Sequence, residues 1–129
     1  MPISFDVEDL QAITNIIIEK QNDNIVSNFG FGKSVINIDG DETRLYIKNF
    51  KKDFILSYIT LKYSRKGTLT ELLPIFKDIC RKHNLNRIVI ENVLTEDMKS
   101  FCEKFGFTRI SQSKSDILEA LPTFALNID

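Results

Sequence analysis

Apolar residues recur along this chain with two different periods, and the places where the period changes outline its elements. Ile3 and Phe5 alternate with polar neighbours, after which Val7, Leu10, Ile13, Ile17 and Ile18 fall at helical spacing. This pattern predicts a short strand entering a helix of about four turns. The helix should stop in Gln21-Asn22-Asp23-Asn24, where short polar side chains compete for backbone hydrogen bonds. A loop carrying Gly30 and Gly32 is expected over Asn24 to Lys33. Val35, Ile36 and Ile38, then Leu45, Tyr46, Ile47 and Phe50, flank Asp39-Gly40, a pair that tolerates the positive φ of a tight turn. Two antiparallel strands follow from that. A second turn at Lys51-Lys52-Asp53 leads to the nearly unbroken apolar run from Phe54 to Leu61, which suits a strand in the middle of a sheet.

Beyond that run the period lengthens again. Leu69, Leu72, Leu73, Phe76, Ile79 and Cys80 mark one face of a helix that ends in Arg81-Lys82-His83-Asn84. Arg87 to Ile90 reads as a short buried strand. Thr95 caps a helix with Met98, Phe101, Cys102 and Phe105 inward, and Gly106 ends it. Strand, helix, strand in this order implies a parallel pair joined by a right-handed crossover. Phe107 to Ser111 and Thr123 to Ile128 read as two final strands, joined by a segment in which Ser115 caps a short helix, Asp116 to Leu121. With no repeat or linker in 129 residues, the chain reads as a single domain over residues 1–129. Its expected class is α+β (α/β mixed): a mixed, mainly antiparallel sheet of about six to seven strands with about three to four helices packed on it.

Charge and composition narrow the function classes. Seventeen basic residues against eighteen acidic ones leave a net charge of -1, without the basic excess of a general nucleic-acid binder. Apolar runs such as Ile16-Ile17-Ile18 are far below membrane-spanning length, and Met1 to Asp6 lacks the basic and apolar regions of a signal peptide. A cytoplasmic protein with neither nucleic-acid nor membrane partners is expected. Cys80 and Cys102 fall in separate helices with no metal-ligand spacing, so both should be buried free thiols and no metal site is expected. His83, the sole histidine, stands at a polar helix end, where its plain role is a solvated contact to the last carbonyls.

The chemistry gathers in Tyr63-Ser64-Arg65-Lys66-Gly67-Thr68-Leu69-Thr70. Here a strand runs through a basic turn into a helix, presenting free N–H groups and the positive end of the helix dipole. With Lys62, Arg65 and Lys66 alongside, this outlines an anion site of the kind a pyrophosphate requires. An alternative needs no ligand: Thr68 and Glu71 form a T-x-x-E capping box, and Pro74 bends the first turns. A separate segment, Ser27 to Ser34, ends in Gly32-Lys33-Ser34 like a phosphate-binding P-loop, but strand-like Val35 to Ile38 follows where a helix should open.

Around this turn the chain resembles the GNAT superfamily of acyl-CoA-dependent N-acetyltransferases. Gly67 and Leu72-Leu73 fall in register with the family's R/Q-x-x-G-x-G/A turn and following leucine pair, and Cys102-Glu103-Lys104-Phe105-Gly106-Phe107 is similar to its Tyr-Glu-Lys-x-Gly-Phe segment. The likeness spans Phe54 to Phe107 and extends in style to the first helix and the closing hairpin. It implies a GNAT-like fold and an enzyme that transfers an acetyl group from acetyl-CoA to a primary amine. The implied coenzyme site has backbone groups near Leu61 and Tyr63 on pantetheine and those of Arg65, Lys66, Gly67, Thr68, Leu69 and Thr70 on pyrophosphate. Thr95 takes the place of the family's later Asn, and Cys102 that of the Tyr that protonates the departing thiolate. Glu91 is the nearest carboxylate for a base, with Tyr58 and Tyr63 as proton carriers through water.

The departures from the pattern are specific. Ser64 stands at the first motif position and Leu69 at the last, Ile55-Leu56-Ser57 holds no carboxylate, and Asn24 to Lys33 leaves little room for a second helix along the acceptor site. These support an alternative reading as a non-catalytic binding or regulatory protein of the same fold. Phe29 and Phe31 would then meet a protein partner or a second copy.

Overall fold

Asp6 opens the first helix by a reciprocal exchange: its carboxylate accepts from the Asp9 amide at 3.0 Å, and the Asp9 carboxylate accepts from the Asp6 amide at 2.9 Å. The computed structural model describes residues 4–93, 95–110 and 122–128. Helix α1 (Val7–Gln21) is followed by four antiparallel strands, β1 (Val26–Gly30), β2 (Val35–Asp39), β3 (Arg44–Phe50) and β4 (Asp53–Thr60). Helix α2 (Thr68–His83) crosses to β5 (Arg87–Ile90), and α3 (Glu96–Lys104) precedes β6 (Thr108–Ile110) and β7 (Thr123–Asn127). The seven strands form one sheet in the order β1-β2-β3-β4-β5-β7-β6, in which β4 and β5 are the parallel pair. The expected α+β class and mainly antiparallel sheet are observed, with three helices among the described residues.

One sheet face carries the core. Ile36, Ile38, Leu45, Ile47, Phe54, Leu56, Ile88 and Ile90 pack in a single cluster with Ile13 and Ile17 of α1, Leu72 and Phe76 of α2, and Cys102 of α3. At about 1.5–3 kcal/mol for each large side chain withdrawn from water, this cluster is the principal stabilising term. A smaller cluster, Ile55, Val89 and Ala125, lies on the alternate positions of the same central strands. Helices α1 and α2 run antiparallel, because the start of each is linked by side chains to the end of the other. Lys82 and His83 of α2 meet Asp6 and Asp9, while Lys20 and Gln21 of α1 meet Glu71 and Thr68.

Several expectations are corrected. Ser4 to Asp6 is not a strand: Phe5 makes a single backbone bond to the Lys33 carbonyl (2.8 Å) and packs edge-on against Phe54. Ile3 and the helix expected over Asp116 to Leu121 lie outside the described residues. The loop expected over Asn24 to Lys33 contains β1, an edge strand with no regular apolar alternation, held by its pairing to β2. Phe31, Gly32 and Lys33, all at positive φ, make the turn between β1 and β2, so Gly32-Lys33-Ser34 enters a strand and opens no helix. Gly40 is needed for space, its φ not being positive. A Cβ there would lie 2.6 Å from Asp23 Oδ2, and that carboxylate accepts from the amides of Asp41 and Glu42. His83 is half-buried against the Asp9 carboxylate (2.9 Å), where it does not serve as a solvated cap.

Candidate functional site

Parallel strands β4 and β5 pair from Asp53↔Arg87 to Leu56↔Ile90, and a last bond runs from the Glu91 amide to the Leu56 carbonyl at 3.0 Å. Beyond that point they part. β4 continues to Thr60, while the chain after Ile90 turns away through Val93 and Asn92, the latter at a left-handed φ of 56°. The parting coincides with an irregularity in the β3–β4 ladder: Ile47 faces Leu56 and Tyr46 faces Tyr58, leaving Ser57 as the extra residue of a bulge. A cleft of about 680 Å³ opens past the split, within the size range of small-molecule sites. Its walls are Ile59 to Leu61 of the β4 end, the turn and first residues of α2, and Asn92 with the inner side of α3.

The floor is the start of α2. Gly67 is the N-cap at φ 73°, and a Cβ there would meet nothing within 4 Å among the described residues. Its conformation is what demands glycine. The Glu71 amide makes the first helical bond, to the Gly67 carbonyl, so the amides of Thr68, Leu69 and Thr70 precede the helical ladder. The expected Thr68–Glu71 capping box is absent, and no side-chain cap bond forms at this end. Thr68, 2% exposed, instead accepts from Gln21 Nε2 at 2.8 Å, and Glu71 pairs with Lys20 at 2.6 Å. That pairing holds the Lys20 ammonium above its usual pKa. Leu69 turns into the core at 7% exposure. By contrast, α3 caps itself: Thr95 Oγ1 accepts from the Met98 amide at 3.1 Å, with Glu96 and Asp97 in its first turn.

Of the residues singled out in the sequence, Leu61, Arg65, Gly67, Thr68, Leu69, Thr70 and Thr95 line this one cleft. Arg65 reaches across it to Asp97 at 3.3 Å, an exposed ion pair between the two walls. Lys66 and Lys62 do not line it. Their ammonium groups stand 5.7 and 5.3 Å from the ring centroid of Tyr63. The Tyr63 backbone is turned to Gln21, its N–H donating to Oε1 at 2.7 Å and its carbonyl accepting from Nε2 at 2.9 Å. Glu91 stands at the split, half-buried, and accepts a bond from the Ser57 hydroxyl at 2.7 Å. Cys102 is fully buried in the core, away from the cleft, and burial pushes its thiol up to about 11. Tyr58 is half exposed on β4.

Sequence reasoning overlooked Gln21, Asn92, Asp97 and Lys104. Asp97 and Lys104 carry a helical signal, since they sit in the first and last turns of a helix whose Thr95 cap is recognisable. Gln21 carries none, because its partners lie more than forty positions away. A further group brings Asp6, Asp9 and His83 ligand atoms within 4.8 Å of one another. The Lys82 ammonium already lies among them, 2.9 Å from Asp6 and 2.7 Å from Asp9.

No protein-family model matches the chain, and no curated protein matches it by sequence. Solved structures do match. Ard1 from Thermoplasma volcanium superposes with a TM-score of 0.54 at 12% identity, covering 98% of this chain and 96% of its own. The PaiA N-acetyltransferase from Thermoplasma acidophilum, solved in complex with coenzyme A, gives 0.54 at 17% identity over 91% of this chain and 70% of its own. An acetyltransferase of the GNAT family from Staphylococcus aureus Mu50 gives 0.53 at 14% identity over 98% of both chains. Identities this low speak to architecture alone, and the strand order, the parallel β4–β5 pair and the split agree with it: the chain has the fold of the GNAT acetyltransferases.

Proposed function

We propose that this chain binds coenzyme A and its acetyl thioester in the cleft and transfers the acetyl group to a primary amine. The observation that carries the reading is the divergence of β4 and β5 above a helix start that has no side-chain cap. The unpaired edge of β4 from Ser57 to Thr60, with Leu61, has backbone groups suited to the amides of a pantetheine arm. The amides of Thr68, Leu69 and Thr70 suit a pyrophosphate, with Arg65 exchanging Asp97 for phosphate oxygen. The burial of Leu69 removes the obstruction its size would otherwise bring. Thr95 would keep its role as a cap on the opposite wall.

Bound acetyl-CoA would supply the electrophilic thioester carbonyl. Glu91 is the base in this reading: it does not line the cleft itself but stands beside Asn92 where the strands part, and the Ser57 hydroxyl holds one carboxylate oxygen, leaving the other to take the amine proton. The bulge gives Ser57 this task at the place where the family pattern has an acid. Cys102 has no part in this reading, because its thiol is buried in the core and does not reach the cleft.

Isothermal titration with CoA, paired with thiol release from acetyl-CoA in the presence of a panel of amines, tests the proposal. Saturable CoA binding with amine-dependent thiol release is expected. Absence of binding at millimolar CoA would sink it. A second reading, a non-catalytic binding protein of this fold, is favoured by the absence of Cys102 from the cleft. It predicts no amine-dependent thiol release from acetyl-CoA for any amine.

A further inference from the structure

We infer that Lys20 and Gln21, the last two residues of α1, are positioning residues that keep the start of α2 open to an anion. This rests on the coenzyme reading above and adds to it the reason the helix end is uncapped. Thr68 and Glu71 have the spacing of a capping box, and such a box would satisfy the first amides of α2 and place a carboxylate on them. Both members are held elsewhere by neighbouring residues of a different helix.

Gln21 is fully buried and spends its whole carboxamide on the coenzyme turn. Oε1 accepts from the Tyr63 amide at 2.7 Å, and Nε2 donates to the Tyr63 carbonyl at 2.9 Å and to Thr68 Oγ1 at 2.8 Å. The turn from Ser64 to Gly67 is therefore fastened on both sides by one side chain. With its hydroxyl drawn to Gln21, Thr68 lies one residue inside the helix, and the N-cap place falls to Gly67, which has no side chain to offer. Lys20 takes the other member. Its ammonium lies 2.6 Å from Glu71 Oε2, which draws that carboxylate off the helix end and neutralises a charge that would repel phosphate. The buried Gln21 amide sets the shape, and the Lys20 ion pair sets the local charge.

The test measures wild type, Lys20→Met, Gln21→Leu and Lys20→Met/Glu71→Gln by isothermal titration with three probes: CoA, ADP and pantetheine, which lacks phosphate. Thermal unfolding monitors the fold in each. Lys20→Met should weaken CoA and ADP by about two- to fivefold, the scale of one charge at a helix terminus. It should leave pantetheine unchanged, and Glu71→Gln should restore the loss. Gln21→Leu, if folded, should weaken ADP more than pantetheine. Should Gln21→Leu fail to fold, the Lys20→Met pair with its Glu71→Gln rescue decides the matter alone. Equal losses for CoA and pantetheine, or unchanged ADP affinity in folded variants, would overturn the inference while leaving the coenzyme reading intact. A wild type that binds neither CoA nor ADP would overturn both.

Discussion

Asp9 is the residue whose loss should cost the fold most for the fewest atoms removed. It is 2% exposed, and its carboxylate accepts from the Asp6 amide (2.9 Å), the Lys82 ammonium (2.7 Å) and His83 Nε2 (2.9 Å). In Asp9→Ala the reciprocal cap of α1 is broken, a loss of about 1 kcal/mol. The bonds from the α2 end would add about 1.5–3 kcal/mol each if both donors stayed buried. Lys82 is 41% exposed and regains water, so its share is discounted heavily. His83, at 15% exposure, recovers less. The sum is about 3 kcal/mol, or a fall in Tm of roughly 12 °C for a domain of this size. Circular dichroism melts at neutral pH measure it. Asp9→Asn keeps the shape and an acceptor for the Asp6 amide, and should lose about half as much. A double-mutant cycle with Lys82→Met should return a coupling of about 1 kcal/mol. A fall below about 3 °C for Asp9→Ala would refute the claim that this end of the helix pair is a buried clasp.

Other measurements probe separate parts of the fold. Lys51 and Lys52, at φ 51° and 65°, form a two-residue hairpin turn that favours Asn-Gly, so replacing the pair with Asn-Gly should raise the urea midpoint by the equivalent of about 1 kcal/mol. Gly40→Ala places its Cβ 2.8 Å from Ile25 Cδ1 as well as against Asp23, and should destabilise by about 1–3 kcal/mol in the same assay. Burial pushes Cys80 up to about 12 and Cys102 to about 11, so a thiol reagent at pH 8 should label neither until urea unfolds the chain. The same shifts predict stability that is intact below about pH 9, where unfolded thiols are still protonated, and lost as pH rises through 11–12. At the acid end, the hydrogen bond from Lys82 holds Asp6 below its usual pKa. Its contribution is thus present above about pH 4 and lost as pH falls further, which acid titration of Tm will show.

The elements whose side chains repeat with a clean period were legible in the sequence: β2 to β4, α2, β5 and α3 fall where apolar spacing puts them. The parallel pairing of β4 and β5 followed from the strand-helix-strand order. What escaped depends on contacts between distant residues. Strand β1 exists because β2 offers it a ladder, and its Val-Ser-Asn-Phe-Gly run has no period to announce that. Asp39-Gly40 suggested a glycine turned to positive φ, whereas the true constraint is the Asp23 carboxylate pressed beside it from seventeen positions away. The capping box expected over Thr68 and Glu71 follows local spacing, but both residues bond to another helix instead.

That bonding separates the two ends of the α1–α2 pair. At one end two carboxylates, an ammonium and an imidazole meet across the two helices and complete a cap. At the other end Lys20 and Gln21 satisfy Glu71 and Thr68 but leave the first amides of α2 without a side-chain cap. A glycine N-cap leaves a helix less stable than a Ser, Thr, Asn or Asp cap by only about a few tenths of a kcal/mol, so this end stays open at little cost, at the cleft where β4 and β5 part. On the coenzyme reading proposed above, the pyrophosphate has the charge and the acceptors to fill this open end.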